Sequence, residues 1–218
     1  MLKRILAELK HHAPFTLFGA ATGIILMAVF RGVSHEKAHT LFYIFHPLHI
    51  MLSAVVTASL YKKYLCRENN GIKKFFKVLA VGFVGSVAIG TLSDSLIPFW
   101  GESILGMPHR HAHIGFIEKW WLINPLAVIS IVFAYYKPMT KFPHAGHVLI
   151  STWASLFHML MAVEYISVMM YLGIFFFLFL AVWFPCCFSD IVFPLLFVGD
   201  IEEGCCNSRK DARPKEVT

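Results

Sequence analysis

The sequence predicts an all-α, polytopic integral membrane helix bundle of about six transmembrane helices with both termini cytoplasmic. Three observations predict it. Of 218 residues, 57% are hydrophobic and only 15% charged, and mean hydropathy is +0.65. Apolar stretches long enough to cross a bilayer recur along the chain, and lysine and arginine are concentrated in alternate loops and the termini. A soluble domain needs a more charged surface, and disorder needs low hydrophobicity with high net charge, so both classes are excluded.

Helices of roughly 17–25 apolar residues span the hydrocarbon core. Such stretches cover residues 13–30, 40–61, 76–99, 120–136, 148–170 and 171–198. The last is too long for one span and contains Pro185 and Pro194, so it is a broken helix, a tilted one, or a span followed by an interfacial segment. Basic residues provide a separate test, because cytoplasmic loops hold the excess. One side receives Lys3, Arg4, Lys10, Lys62, Lys63, Arg67, Lys73, Lys74, Lys77, Lys137, Lys141, Arg209, Lys210, Arg213 and Lys215. The other receives Arg31, Lys37, Arg110 and Lys119. Fifteen against four predicts six spans and places the net charge of +6 beside anionic lipid rather than nucleic acid.

The sequence further predicts one transmembrane domain over 1–199 and a short polar cytoplasmic tail over 200–218. The first apolar run follows Lys10-His11-His12 without a small-residue cleavage site, so it reads as a retained span of a multi-pass cell-membrane protein. All five cysteines, Cys66, Cys186, Cys187, Cys205 and Cys206, fall on the cytoplasmic side or within the membrane, which argues against a disulfide framework. Gly19 and Gly23 form a GxxxG, and Gly82, Ser86 and Gly90 repeat small residues at the same spacing. Such faces allow close helix contact, within the chain or with a second copy of it. No inverted repeat relates the first three spans to the last three.

Twelve histidines stand out in so apolar a chain. His35, His39, His46 and His49 fall at about 0°, 40°, 20° and 320° if a helix starts at His35 with Ser34 as its N-cap and Glu36 in its first turn. One stripe therefore descends from the outer surface into the membrane. Ionisable residues there need interior partners, which makes each a functional candidate. The third loop adds His109, His111 and His113, with Glu102 and Glu118 nearby in sequence and Asp94 near the outer end of the third span. An extended strand would point the three histidines the same way, whereas a loop would leave them solvated. On the fifth span His144, His147 and His158 fall within about 60°, with Ser151 and Ser155 between them. In the sixth, Pro185-Cys186-Cys187-Phe188-Ser189-Asp190 places two thiols and a carboxylate in an apolar run.

Imidazole, thiolate and carboxylate together ligate transition metals, and the sequence does not distinguish zinc, iron, copper, manganese or nickel. The metal-ligating set is His35, His39, His46, His49, Asp94, His109, His111, His113, His158, Cys186, Cys187 and Asp190. A haem between His46 or His49 and His158 would leave the other histidines without a role. His35-Glu36-Lys37-Ala38-His39 matches H-E-x-x-H, but Phe42 and Phe45 occupy the glycine and third-ligand positions of the metzincin extension.

Two functions follow. The first is a transition-metal transporter or channel: an outer His/carboxylate mouth, His158 with Cys186, Cys187 and Asp190 in mid-membrane, and an inner exit at His144 and His147. The second is a membrane metalloenzyme, an oxidoreductase or zinc hydrolase with its site at the outer side. Transport needs donors strung along the membrane normal, whereas an enzyme needs them around one ion with an open position.

Overall fold

The computed structural model describes the backbone of residues 2–30, 32–65, 71–139, 141–164, 167–188 and 193–197, and their side chains except for 2–12, 141–145, 187 and 195. Asp190, Cys66, Cys205, Cys206, the tail over 200–218 and the side chains of Cys187, His11, His12 and His144 lie outside the described residues.

Among the described residues the chain is helical throughout, without a strand. The helices are α1 (Leu2–Val29), α2 (His35–Tyr64), α3 (Ile72–Thr91), α4 (Ile97–Ile104), α5 (Gly115–Glu118), α6 (Trp120–Tyr136), α7 (Lys141–Ala162), α8 (Val168–Cys187) and α9 (Phe193–Leu196). A π-helical turn, Leu92–Leu96, joins α3 to α4 without interruption. Among the described residues three helices are long and apolar enough to cross a membrane: His35–Tyr64, Ile72–Ile104 and Val168–Cys186. Ala13–Val29 and Trp120–Tyr136 are shorter apolar helices.

Local chemistry sets several of these limits. Ser34 Oγ accepts the Lys37 N–H at 3.4 Å and starts α2, which then continues through Pro47. Ser167 Oγ accepts the Met170 N–H at 3.2 Å and starts α8. That cap corrects the expected boundary: the fifth apolar stretch stops being helical at Ala162 instead of 170, and the sixth starts at Val168 instead of 171. Continuous apolar composition conceals such a break. At the proline-containing end the described residues form α8 as far as Cys187 and the single turn α9 over Phe193–Leu196; residues 189–192 between them, where a break would fall, lie outside the described residues. Gly32 and Gly106 have φ of +84° and +67°, and they turn the chain after α1 and α4 where a side chain would be strained.

The surface and interior are inverted relative to a soluble protein. Phe18, Ile25, Phe76, Ile129, Phe133, Phe176 and Phe184 are exposed, as are Trp100, Trp120 and Trp121 near helix ends. Inside lie His46, His49, Ser93, Asp94, Glu102, His147, Ser151, Ser155 and His158, each at most 1% exposed. Apolar groups outside and polar groups gathered inside are what a bilayer imposes.

Helix α2 is the centre of the bundle and packs on α3, α6 and α7, while α1 and α8 pack on each other and on α7. The small-residue faces are taken up within the chain. A Cβ on Gly19 would lie 3.0 Å from Thr152 Oγ1, one on Gly23 3.1 Å from Leu178, one on Gly82 3.2 Å from Ala58 Cβ, and one on Gly90 2.9 Å from Ile50.

Two registers position the polar interior. His35 meets Met161 and His49 meets His147, so fourteen residues of α2 run antiparallel beside fourteen of α7. Asp94 meets Ser151 and Glu102 meets His158, so the π turn and α4 run parallel to α7. Eight residues separate the two carboxylates but seven separate their partners. In an α-helix eight residues leave an offset of about 80°, and the one extra residue of a π turn turns this back by about 100°, to about 20° on the other side, the same offset that seven residues give along α7. The π turn thus points Asp94 and Glu102 at the same face of α7.

Candidate metal centre

The outermost group is built by the start of α2 and the loop between α4 and α5. His35 Nδ1–H donates to the Met161 carbonyl at 3.0 Å, fastening the start of α2 to the end of α7. One turn later the His39 ring lies 4.8 Å from Tyr43 and 5.5 Å from His113. His111 and His113 stand with ring centroids 4.7 Å apart. Glu118 collects them: Oε2 accepts from Tyr43 O–H and, at 3.2 Å, from His113 Nδ1–H, while Oε1 accepts from the Ile114 N–H at 3.2 Å. Donor atoms of His111, His113 and Glu118 all lie within 4.8 Å of one another, with His111 and Glu118 exposed. Burial lowers the His113 pKa despite the opposing pull of Glu118. Burial alone would raise that of Glu118, but the hydrogen bonds from Tyr43 and His113 hold it below the usual carboxylate range. Neutral imidazole beside carboxylate is the combination a cation requires.

Below this mouth, His158 Nδ1–H donates to Glu102 Oε1 at 2.7 Å, with both groups buried. The His113 backbone N–H donates to His158 Nε2 at 3.4 Å, which fixes the tautomer because an N–H cannot accept. Phe42 fills the space beneath. Its ring is stacked on His46 at 5.1 Å and meets His158 edge-on at 5.3 Å.

The innermost group is organised by Asp94. Its Oδ2 accepts from His46 Nδ1–H at 2.9 Å and His49 Nδ1–H at 2.7 Å. Its Oδ1 accepts from Ser93 Oγ–H at 2.7 Å and Ser151 Oγ–H at 2.8 Å. A carboxylate that holds the Nδ1–H of an imidazole orients the ring and raises the basicity of Nε2, the usual second layer of a metal site. His49 Nε2 lies 4.0 Å from Cys186 Sγ, and the His49 and His147 rings are stacked at 5.7 Å. Donor atoms of His49, His147 and Cys186 all fall within 4.8 Å of one another.

His46 Nε2 is buried without a hydrogen-bond partner, and Gly115 closes over it. A Cβ at Gly115 would sit 2.6 Å from His46 Cδ2 and Nε2 and 2.7 Å from Ile123 Cδ1. Gly115→Ala is therefore expected to cost about 1–3 kcal/mol through overpacking. Thermal unfolding in detergent measures it, and an unchanged midpoint would mean that the loop yields without strain.

The structure divides the expected outer cluster. His39, His111 and His113 belong to the exposed mouth, whereas His46, His49 and Asp94 belong to the buried group. His109 is exposed, its N–H donates to the Ala162 carbonyl at 3.3 Å, and it joins no donor group among the described residues. Of the two alternatives for the three loop histidines, alignment along a strand is not realised, because residues 110–114 form no strand.

Cys186 was expected beside His158 but lies with His147. Eleven residues of α7, about 16 Å, separate those histidines, and Cys186 sits in the last turn of α8 opposite the start of α7. Cys187 and Asp190 lie outside what is described. Sequence reasoning left His147 and Glu102 out of the ligand set and gave Phe42 no part in the site. Glu118, near the loop histidines in sequence, is the carboxylate that His113 meets, and their five-residue spacing across a short loop is the signal for that pair.

From the surface inward the rings form one series: His111, His113 at 4.7 Å, His158 at a further 5.6 Å, Phe42, His46, His49 across Asp94, then His147. No protein-family model, curated protein or solved structure matches the chain, so its chemistry is read from this geometry alone.

Proposed function

We propose that the chain is a six-span cell-membrane protein, with cytoplasmic termini, that conducts a transition-metal ion along this series of histidines. The observation that carries the reading is the continuity of the series, from exposed His111 to buried His147, with a carboxylate at each stage. Glu118 serves the mouth, Glu102 the middle and Asp94 the interior. Several moderate sites in sequence allow an ion to enter and to leave. An enzyme would gather its donors around one ion, whereas these donors fall into separate groups along α2 and α7. The carboxylates also offset the charge of a cation that sheds its water on the way in.

Reconstituted vesicles loaded with a metal-sensitive dye test this. Wild-type protein is expected to admit zinc, and His158→Ala to slow uptake at least tenfold, equivalent to about 1.4 kcal/mol of barrier. Uptake that is equal in His158→Ala and wild type, or equal with and without protein, would overturn the reading.

A further inference from the structure

The cluster of His49, His147 and Cys186 joins three helices, α2, α7 and α8, at a point where exposure is 1%, 0% and 2% respectively. Its two imidazoles are nearly parallel, with an interplanar angle of 8°. Asp94 holds His49 Nδ1–H, which leaves the Nε2 lone pair on the side of Cys186. Around a tetrahedral ion with metal–nitrogen distances near 2.0 Å and metal–sulfur near 2.3 Å, donor atoms stand about 3.5 Å apart. The observed limit of 4.8 Å exceeds that spacing by about 1.3 Å.

We propose that His49, His147 and Cys186 form a three-donor site for a thiophilic divalent ion of the zinc class, and that this is the selective station of the pathway. Its role as a station rests on the conduction reading; its capacity to bind does not.

Donor type makes the first selection. Two imidazoles and a thiolate disfavour magnesium and calcium, which take oxygen ligands. Charge makes the second. When Cys186 binds metal it gives up its proton to bulk water and its sulfur lone pair forms the bond, with no electron transferred. Thiolate and Asp94 carboxylate then sum to two negative charges, which a divalent ion neutralises. A monovalent copper ion would cancel only one of the two charges, so the charge sum favours a divalent ion. Lys74, the buried cation of α3, precedes Asp94 by twenty residues, about 30 Å of helix. Three protein donors also leave a fourth position open, which allows the ion to be handed on.

Cobalt(II) is the optical probe, added to full-length metal-free protein in detergent. A variant in which Cys66, Cys187, Cys205 and Cys206 are all serine keeps Cys186 as the sole thiol. This variant is expected to bind one equivalent with a sulfur-to-cobalt charge-transfer band and tetrahedral visible bands, and zinc should remove both. Cys186→Ser, where it remains folded, should lose the charge-transfer band, and His147→Ala should weaken binding at least tenfold, or about 1.4 kcal/mol. If Cys186→Ser does not fold, the variant retaining only Cys186 decides alone. Absence of the band there, its persistence in folded Cys186→Ser, or a preference for copper(I) over zinc in anaerobic competition would each overturn the assignment. Ion uptake without the sulfur signature would refute this site and leave the pathway. The signature without uptake would refute the pathway and leave the site.

Discussion

Asp94→Ala is expected to destabilise the protein by about 3–5 kcal/mol, the range for removing one partner from a buried charged network. Four donors converge on this carboxylate: His46 and His49 from α2, Ser93 from the π turn and Ser151 from α7. Alanine leaves all four in a dry interior, and each neutral orphan costs about 1–3 kcal/mol before relaxation. Asp94→Asn should behave differently. Its amide oxygen can face the imidazoles while its NH2 donates to the serine hydroxyls, which accept as readily as they donate. The fold is then largely kept, but the charge that makes Nε2 basic is lost, and cobalt affinity should fall about 10- to 100-fold. Unfolding midpoints in detergent, paired with cobalt titration, separate the two effects. If Asp94→Ala melts with wild type, Asp94 is not the organising group of the interior. If Asp94→Asn binds cobalt with unchanged affinity, it is not a second-layer ligand.

The sequence made one side of this site legible and concealed the other. Ser34 as N-cap and the spacing of His35, His39, His46 and His49 were sufficient to place four imidazoles on one stripe of α2. The polar face of His147, Ser151, Ser155 and His158 was likewise readable from α-helical periodicity. Both predictions depend only on regular rotation within one helix. The partners of those faces depend on rotation that is not regular. Glu102 is eight residues beyond Asp94, and an unbroken α-helix would direct it elsewhere. Only the π turn at Leu92–Leu96 brings it to His158, and the residues of that turn carry no signature that distinguishes them from α-helix.

Cys186 shows a different limit. Alternating span directions already set the end of the sixth span opposite the start of the fifth, so its partnership with His147 followed from topology. Grouping by chemical type, rather than by depth, assigned it to His158. The loop histidines lie beyond either argument, because residues 110–114 follow no helical or extended period that would fix where each ring points.

Phe42 carries the second large prediction. It is fully buried at the point where three differently held imidazoles meet: His46 on Asp94, His158 on Glu102, and His113 on Glu118. Its ring stacks on the first at 5.1 Å, meets the second edge-on at 5.3 Å and lies 6.2 Å from the third. On the conduction reading one benzene ring stands between the outer and inner groups of the series, and an apolar constriction of this kind would hold back a hydrated ion by excluding its water. Phe42→Ala should cost about 3–5 kcal/mol through lost contacts and the cavity left behind. That cavity would not stay dry, because His46 Nε2 and Glu102 Oε2 are buried acceptors with no hydrogen-bond partner. Water would then connect the two halves of the series. Zinc uptake into vesicles should therefore rise on the order of tenfold, corresponding to about 1.4 kcal/mol less barrier, while the unfolding midpoint falls. Phe42→Leu keeps an apolar plug and should lose stability with little gain in uptake. Opposite signs for stability and uptake are what distinguish a gate from a packing residue. If Phe42→Ala lowers both together, Phe42 only supports the helices around it, and the barrier to the ion lies elsewhere along α2.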